Sequence, residues 1–181
     1  MLRLRPYKKC DADKIVSWLN DERTFQLWGG DHFGSFPITA DVINHKYYDQ
    51  NGDCTEEDNF YPVTAFDDEG PVGHFIMRYI GGNKRIVRFG WVIVDNEKRG
   101  HQYGRKMLAL GLKYAFEIMG AEQVTLGVYE TNIRAHRCYS SLGFRDNPDA
   151  KHGFVMIQGE KNNVVELRIT KEEYEDSDLR R

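Results

Sequence analysis

The sequence predicts an α/β fold, in which a mixed, mostly antiparallel sheet contains one central pair of parallel strands and carries helices on its faces. Three apolar segments joined by glycine-containing turns predict consecutive antiparallel strands in the middle of the chain. The last of them is followed by a helix of about four turns and another strand, an order that requires a right-handed crossover between parallel neighbours. The length of 181 residues suits a single domain.

The first part of the chain alternates predicted helices with irregular structure. Residues 2–5 form a short strand, and residues 11–19 form an amphipathic helix with Asp11 as its N-cap. Glycines and aromatic residues indicate that residues 20–37 are irregular, and residues 39–48 form a second helix. We expect the irregular segment to face the substrate.

Residues 49–59 are polar and acidic, since five of these eleven residues are aspartate or glutamate. Such a segment is typical of a solvated loop. A second interpretation is that it attracts a cationic substrate with an apolar part. Aromatic residues that would suit such a substrate lie nearby in the sequence: Trp28, Phe33, Phe36, Tyr47 and Tyr48.

The three central strands are predicted at residues 60–66, 72–80 and 85–94. Residues 67–71 have the composition of a hairpin turn, and two consecutive glycines, Gly81 and Gly82, mark the second reversal.

The last part of the chain begins with a long helix at residues 104–119, which ends where Gly120 offers a left-handed C-terminal residue. A strand at 123–129 and a helix at 132–142 follow, and two further strands flank residues 161–163. These elements complete the predicted sheet.

Composition excludes several functional classes. No apolar run approaches the roughly 20 residues that span a bilayer, and the N-terminal residues lack the apolar centre of a secretion signal, so we expect a cytoplasmic protein that does not enter membranes. The net charge of −3 argues against general affinity for nucleic acid. Any recognition of anions must therefore be local.

Cysteines and histidines indicate neither disulfides nor a metal site. Cys10, Cys54 and Cys138 show no Cys-x-x-Cys spacing, so we expect reduced, incidental thiols. The six histidines form no pair or carboxylate cluster with the spacing of metal ligands. We therefore expect no metal.

The strongest local signal is an apolar strand that breaks into a basic turn before a helix. The strand ends in Val92-Ile93-Val94, and the turn and helix start contain Arg99-Gly100-His101-Gln102-Tyr103-Gly104-Arg105. The first N–H groups of a helix are unpaired and carry partial positive charge, so a phosphate gains hydrogen bonds and a favourable dipole there. Glycine also permits close approach to the backbone. This layout predicts a phosphate or pyrophosphate site.

A second block places four residues on one stripe of the later helix. Asn132, Ala135, His136 and Tyr139 are spaced i, i+3, i+4 and i+7. A tyrosine on such a stripe is often only packed in a core. Because this helix follows the strand that runs parallel to the strand before the turn, the stripe can also overlook a ligand groove, and we assign Tyr139 a functional role.

Together the two blocks resemble the GNAT superfamily of acetyl-CoA-dependent N-acetyltransferases. The turn matches the family's pyrophosphate signature, [Q/R]-x-x-G-x-[G/A], at its first and last positions, with Gln102 in place of the middle glycine. The later helix matches Asn-x-x-Ala-x-x-x-Tyr-x-x-x-Gly-Phe from Asn132 to Phe144. Leu4-Arg5 and Trp18-Leu19-Asn20-Asp21 are similar to the ribosomal-protein-alanine (RimJ/RimL-type) branch.

The resemblance implies the GNAT fold, with a splayed parallel strand pair, over the whole of residues 1–181. Residues 1–70 would form the acceptor side and residues 71–145 the core that binds acetyl-CoA. The residues implied to bind the co-substrate are Val92, Ile93, Val94, Arg99, Gly100, His101, Gln102, Tyr103, Gly104, Arg105, Asn132, Ala135 and Arg137. Arg134 would join the arginines around the pyrophosphate, where guanidinium groups suit phosphate geometry.

The reaction implied is attack of a neutral amine on the acetyl thioester. A backbone N–H near Val92 or Ile93 would meet the developing oxyanion, and Tyr139 would protonate the departing thiolate. Many relatives place a glutamate base on the strand before the turn, but here residues 85–91 carry arginines. Glu130 is a candidate base, directly or through water, and His74 is another. A chain of water molecules to bulk solvent is the remaining alternative.

The acceptor is predicted to be a primary amine, either a protein N-terminus or a small molecule. Two other hypotheses stay open, namely a non-catalytic module that binds or senses CoA and a structural partner without cofactor. A homodimer is an expectation from the family alone.

Overall fold

The computed structural model describes residues 1–151 and 153–180, and its strands form one sheet. The strands are β1 (Arg3–Pro6), β2 (Tyr61–Asp67), β3 (Gly70–Ile80), β4 (Asn83–Val94), β5 (Gln123–Tyr129), β6 (Arg145–Asp146), β7 (Gly153–Ile157) and β8 (Glu160–Thr170). Their order is β1-β2-β3-β4-β5-β8-β6, and β7 also pairs with β8.

Six α-helices accompany this sheet in the described part of the chain. They are α1 (Asp11–Trp18), α2 (Glu22–Trp28), α3 (Ala40–Asn44), α4 (Tyr103–Lys113), α5 (Ile133–Ser141) and α6 (Lys171–Glu175). α3 and α4 each continue into one π-helical segment, His45–Asp49 and Tyr114–Ile118. None of the described helices is long and apolar enough to cross a membrane.

The strand pairing confirms the predicted fold class. β4 and β5 run parallel, whereas the other paired strands are antiparallel. The helix between β4 and β5 makes the crossover that a parallel pair requires. Side chains alternate across the sheet, so β3 and β4 supply apolar residues to both of its faces.

Two hydrophobic cores lie on the two faces of β3 and β4. On one face Phe75 and Phe89 pack with buried residues of α4, including Leu108 and Leu112. On the other face Ile76 and Ile93 pack with residues of α1 to α3. The sheet is therefore held between α4 and the N-terminal helices, and this arrangement fixes the position of the C-terminal end of β4.

The structure differs from the predicted elements in three places. The turn between the last two strands lies at residues 158–159, so residues 161–163, which were predicted to separate two strands, are inside β8. Helix α2 occupies the segment predicted as irregular: the Asp21 side chain accepts a hydrogen bond from the N–H of Thr24, and Phe25 and Trp28 are buried. The predicted segment contained this cap, but its aromatic residues and flanking glycines suggested a loop. Helix α6 was also missed, although Thr170 begins it with a capping box.

Asp11 is the first residue of α1 and not its N-cap, a position that Cys10 occupies. Its buried carboxylate instead bonds the guanidinium of Arg5 and the hydroxyl of Thr64. The acidic segment is only partly solvated, because Gly52 and Asn59 within it are buried. The solvated-loop interpretation therefore holds for its charged residues but not for the whole segment.

Candidate active site

A bulge in β4 separates this strand from β5. His74 pairs with Ile93 and Ile76 pairs with Gly90, so β4 has one more residue than β3 in this interval, where Trp91 has a φ of +47°. The ladder between β4 and β5 extends only from Ile86 opposite Gln123 to Arg88 opposite Thr125. Bulges bend and twist a strand. The two strands are therefore splayed beyond Arg88, as the family resemblance implied.

One side of the splay opens into a groove of about 420 Å³, which we call the basic groove. It is bounded by the end of β4, the turn that follows, the start of α4 and the inner face of α5. No aspartate or glutamate is among its described lining residues, whereas Lys98, Arg99, Arg105 and Arg134 are.

The turn presents backbone N–H groups to this groove. Gly100 has a φ of +86°, and Gln102 has a φ of +63° and is the N-cap of α4 without a side-chain cap. The left-handed backbone at both positions turns the chain from the strand into the helix. The first N–H groups of an α-helix have no intrahelical partner, so they are available to an anion.

The three arginines that line the groove form no ion pair with a carboxylate of the described residues, although Asp21 and Asp95 lie near enough to Arg99 to interact with its charge. Burial and the adjacent guanidinium of Arg134 both lower the pKa of Arg99, and the Arg99 Nε donates to the carbonyl of Val94 at 3.2 Å. Lys98, by contrast, pairs with Glu69. A site that concentrates arginines without partners suits a polyphosphate, so the residues present fit the pyrophosphate of acetyl-CoA.

A second cavity of about 340 Å³ opens on the other side of the splay, and we call it the polar cleft. Charged side chains line it, including those of Asp31, Arg78, Arg88 and Glu166. The two cavities share six lining residues, which mark the point where they meet: Leu27, Trp28, Val92, Asn132, Ala135 and Tyr139.

Tyr139 lies at this junction. It is 7% exposed, its ring packs edge-on against Phe144 with centroids 6.3 Å apart, and it lines both cavities. Burial raises the pKa of its hydroxyl above the ordinary value for tyrosine. The side chain therefore holds its proton at neutral pH at the place where ligands from the two cavities would meet.

The structure brings together most of the residues predicted to bind acetyl-CoA. Lining the basic groove are Val92, Ile93, Val94, Arg99, Gly100, Gln102, Tyr103, Gly104, Arg105, Asn132 and Ala135. His101 and Arg137 do not line it. Both are exposed, on the turn and on the outer side of α5 respectively.

The two candidate bases lie away from the junction. Glu130 is exposed, lines neither cavity, and accepts hydrogen bonds from the backbone and side-chain amides of Asn163 at 3.1 Å; these bonds lower its pKa. His74 is fully buried beside β4, where its Nε2 lies 2.7 Å from the hydroxyl of Tyr47, and burial lowers its pKa to about 3. Neither position gives contact with an amine in the polar cleft.

Sequence reasoning missed the contribution of α2. Thr24, Leu27 and Trp28 line the basic groove, and the indole N–H of Trp28 donates to the carbonyl of Trp91 at 2.8 Å. This bond ties α2 to the bulge. The spacing of Thr24, Leu27 and Trp28 is that of one helix face, so the cap at Asp21 together with this spacing was the available signal.

Comparison with known proteins identifies this arrangement. Residues 1–145 match the model of the family described as acetyltransferase (GNAT) domain. The chain belongs to the GNAT acetyltransferase family. It is therefore an acetyl-CoA-dependent N-acetyltransferase, with acetyl-CoA as its co-substrate.

Individual relatives of this GNAT enzyme include polyamine acetyltransferases. The spermine/spermidine N(1)-acetyltransferase of Bacillus subtilis (strain 168) is 28% identical over 134 residues, which cover 67% of this chain and 83% of that protein. These relatives are not described as ribosomal-protein-alanine acetyltransferases, so the assignment of the chain to that branch remains a prediction.

Solved structures share the fold at low sequence identity. Spermidine N-acetyltransferase from Vibrio cholerae, in complex with CoA and spermine, has a TM-score of 0.76 at 20% identity and covers 97% of this chain and 98% of its own. An aminoglycoside acetyltransferase in complex with coenzyme A has a TM-score of 0.73 at 19% identity, with coverage of 98% and 99%.

Gln102→Gly tests the departure from the GNAT signature. A non-glycine residue in the left-handed backbone region costs about 1–2 kcal/mol of folding free energy, and glycine removes this cost. Glycine also loses more backbone entropy on folding, which cancels about half of the stabilisation. We expect a small rise in the melting temperature and a lower Kd for acetyl-CoA, measured by thermal shift and calorimetry. Gln158 is a matched control, since its φ is +50° in a turn outside the groove. Gln158→Gly should raise stability only, and equal effects of both variants on Kd would contradict the interpretation.

Proposed function

We propose that this enzyme acetylates the primary amine of a small molecule by direct attack on acetyl-CoA within a ternary complex. The observation that carries the proposal is the junction of two cavities at the splay of β4 and β5, with Tyr139 lining both. The basic groove takes acetyl-CoA and the polar cleft takes the amine. Each reactant then reaches the junction from its own side of the sheet.

Acetyl-CoA would bind with its pyrophosphate at the N-terminus of α4. Arg99, Arg105 and Arg134 neutralise the phosphate charge, and the Gly100 backbone allows close approach. The pantetheine arm then lies between the end of β4 and α5. This placement brings the thioester to Val92 and Ile93, where an N–H of the splayed strand would bind the acetyl oxygen as negative charge develops.

Tyr139 would serve as the general acid. Attack of the amine forms a new C–N bond and a tetrahedral oxyanion, and collapse of this intermediate breaks the C–S bond and releases a thiolate. Proton transfer from the Tyr139 hydroxyl to the sulfur completes expulsion, and the amine's lost proton restores the tyrosine through solvent. The position of this residue at the junction of the two cavities is the observation that supports the role.

The ammonium form of the acceptor must lose a proton before attack, because an alkylamine has a pKa of roughly 10.4. Glu130 and His74 lie outside the cleft, so we assign this step to solvent in the polar cleft. Charged side chains line this cleft. A chain of water molecules to bulk solvent was the third alternative for the base, after Glu130 and His74.

A small-molecule acceptor is favoured over a protein N-terminus. The relatives and fold neighbours named above are described as acting on polyamines or aminoglycosides. The N-terminal residues that suggested the ribosomal-protein branch have structural partners here: Arg5 bonds Asp11, and Asp21 caps α2.

Initial-rate kinetics test the ternary complex. With acetyl-CoA and a primary amine varied together, double-reciprocal plots should intersect, and incubation with acetyl-CoA alone should leave the protein mass unchanged. Parallel lines together with a stable mass increase of one acetyl group would instead show an acetyl-enzyme intermediate and overturn direct attack.

A further inference from the structure

The floor of the polar cleft continues into a row of arginines that crosses the sheet. Arg78 on β3 pairs with Arg88 on β4, and Arg88 pairs with Thr125 on β5. Thr125 in turn pairs with Arg168 on β8, which pairs with Arg145 on β6. Residues directly opposite each other on neighbouring strands point to the same face. We call these five residues the arginine row.

This row lies on the face away from the core formed with α4. Its neighbours along the strands, Val87, Val124 and Ile169, point to that core, and strand residues alternate between faces. Arg78 and Arg88 line the polar cleft, so the row begins inside the cleft.

Only one arginine of the row forms an ion pair with a carboxylate within the described residues. Arg88 makes two hydrogen bonds of 2.7 and 2.9 Å to Glu166, and its guanidinium crosses Gly127 to do so. Arg145 and Arg168 form no such pair among the described residues, and Arg78 interacts only at longer range with the exposed carboxylate of Glu56. Like charges placed opposite each other on adjacent strands destabilise a sheet, so the row is costly unless an anion binds to it.

Two buried donors of the row also lack partners. The Oγ1 atom of Thr125, a residue only 2% exposed, and the Nε atom of Arg168 have no hydrogen-bond partner in the described structure. Buried polar atoms are nearly always paired. Neither Thr125 nor Arg168 lines the polar cleft, so the carboxylate of an acceptor is assigned to Arg78 and not to these two atoms.

The charge balance of the cleft also disfavours a polycation. Glu166 is already bonded to Arg88, which leaves Asp31 as the other lining carboxylate, while Arg78 and Lys151 are both cationic. A linear polyamine would meet more positive than negative charge there, and like-charge contacts reject a ligand.

We propose that the acceptor is an amino carboxylate, a small molecule whose carboxylate is held by Arg78 beside Arg88 while its amine reaches the junction. This proposal rests on the proposed function and names its substrate class. Val92 follows Arg88 by four positions on β4, a path of at most roughly 13 Å that the bulge shortens. The carboxylate and the amine of the acceptor should therefore be several bonds apart, as in an ω-amino acid.

A matched set of amines tests the proposal. CoA release and acetylated product are measured with 6-aminohexanoate, with its amide, which has the same chain without the charge, and with spermidine. We expect kcat/KM for the carboxylate to exceed that for the amide by about tenfold or more and to exceed that for spermidine. Arg78→Gln should abolish the preference, mainly by raising KM for the carboxylate.

Arg145→Gln is the control, because it removes the same charge from the far end of the row, outside the cleft. This variant should keep the preference. Equal rates for the carboxylate and the amide, or a preference for spermidine, would overturn the inference while leaving the proposed transferase function intact. No product with any amine would overturn both. A melting temperature of Arg78→Gln close to that of the wild type shows that the variant is folded.

Discussion

Replacing Tyr139 with phenylalanine is expected to lower kcat by about 10²–10⁴-fold, the usual contribution of general acid catalysis, with little change in the Kd of acetyl-CoA. The variant loses only the hydroxyl that would protonate the thiolate, and the ring still packs against Phe144. Steady-state kinetics give kcat, and calorimetry gives the Kd for acetyl-CoA.

Tyr103→Phe is a matched control within the same groove. The Tyr103 hydroxyl donates to Asp67 at 2.9 Å, away from the junction, and the residue lines the basic groove but not the polar cleft. Its loss should leave kcat within a few-fold of the wild-type value. If Tyr103→Phe and Tyr139→Phe lower kcat equally, or if Tyr139→Phe acts only on the Kd, Tyr139 is not the acid.

Asp11→Ala is expected to lower the free energy of unfolding by about 3–5 kcal/mol, the usual cost of breaking a buried ion pair. Asp11 is 2% exposed, and it accepts two bonds of 2.7 Å from Arg5 and further bonds from the Lys8 N–H and the Thr64 hydroxyl. The substitution leaves the Arg5 guanidinium partly buried without its anion. Denaturant unfolding measures the loss, and Asp13→Ala, an exposed position on the same helix, is the control.

The stability that the Asp11 carboxylate contributes should depend on pH. Burial raises the pKa of its carboxyl, but bonds from Arg5, Lys8 and Thr64 outweigh this effect and hold the pKa below its usual value. A lowered native pKa means that the contribution is complete above the unfolded pKa of roughly 3.9 and falls as the pH drops through the native value. The difference between wild type and Asp11→Ala should thus be constant near neutrality and shrink below about pH 4. A constant difference down to pH 2 would contradict the ion-pair account.

The elements that form the basic groove could be predicted from the sequence, because local patterns determine them. The alternation of β4, the glycine-containing turn and the periodicity of α4 predict the anion site without any long-range contact. The stripe from Asn132 to Tyr139 depends only on helical spacing. Most predicted groove residues consequently line the groove.

Features that depend on tertiary packing were not predictable in this way. Helix α2 is short and is stabilised by burial of Phe25 and Trp28 and by the bond from Trp28 to the β4 bulge, contacts that no local pattern displays. Asp11 has the residue type and the sequence position of an N-cap. Its carboxylate instead bonds distant residues, including Thr64, which is 53 residues away. Glu130 was expected near the chemistry from its place at a strand end, but the direction of that end is set by pairing with β8.

The arginine row is another feature that local sequence patterns could not predict. Its five members come from five strands, and register alone brings them together. In the sequence its four arginines are isolated from one another and resemble ordinary surface charges. Acceptor specificity therefore had to be inferred from the structure, whereas co-substrate binding could be inferred from motifs.

The most direct measurement is the formation of free CoA and N-acetylated product from acetyl-CoA and a panel of small primary amines, both quantified in the same reaction. The account predicts equal amounts of the two products, at a rate that saturates with each substrate. A protein that is thermally stabilised by CoA but forms no product with any amine would contradict it, and would indicate a non-catalytic CoA-binding module instead.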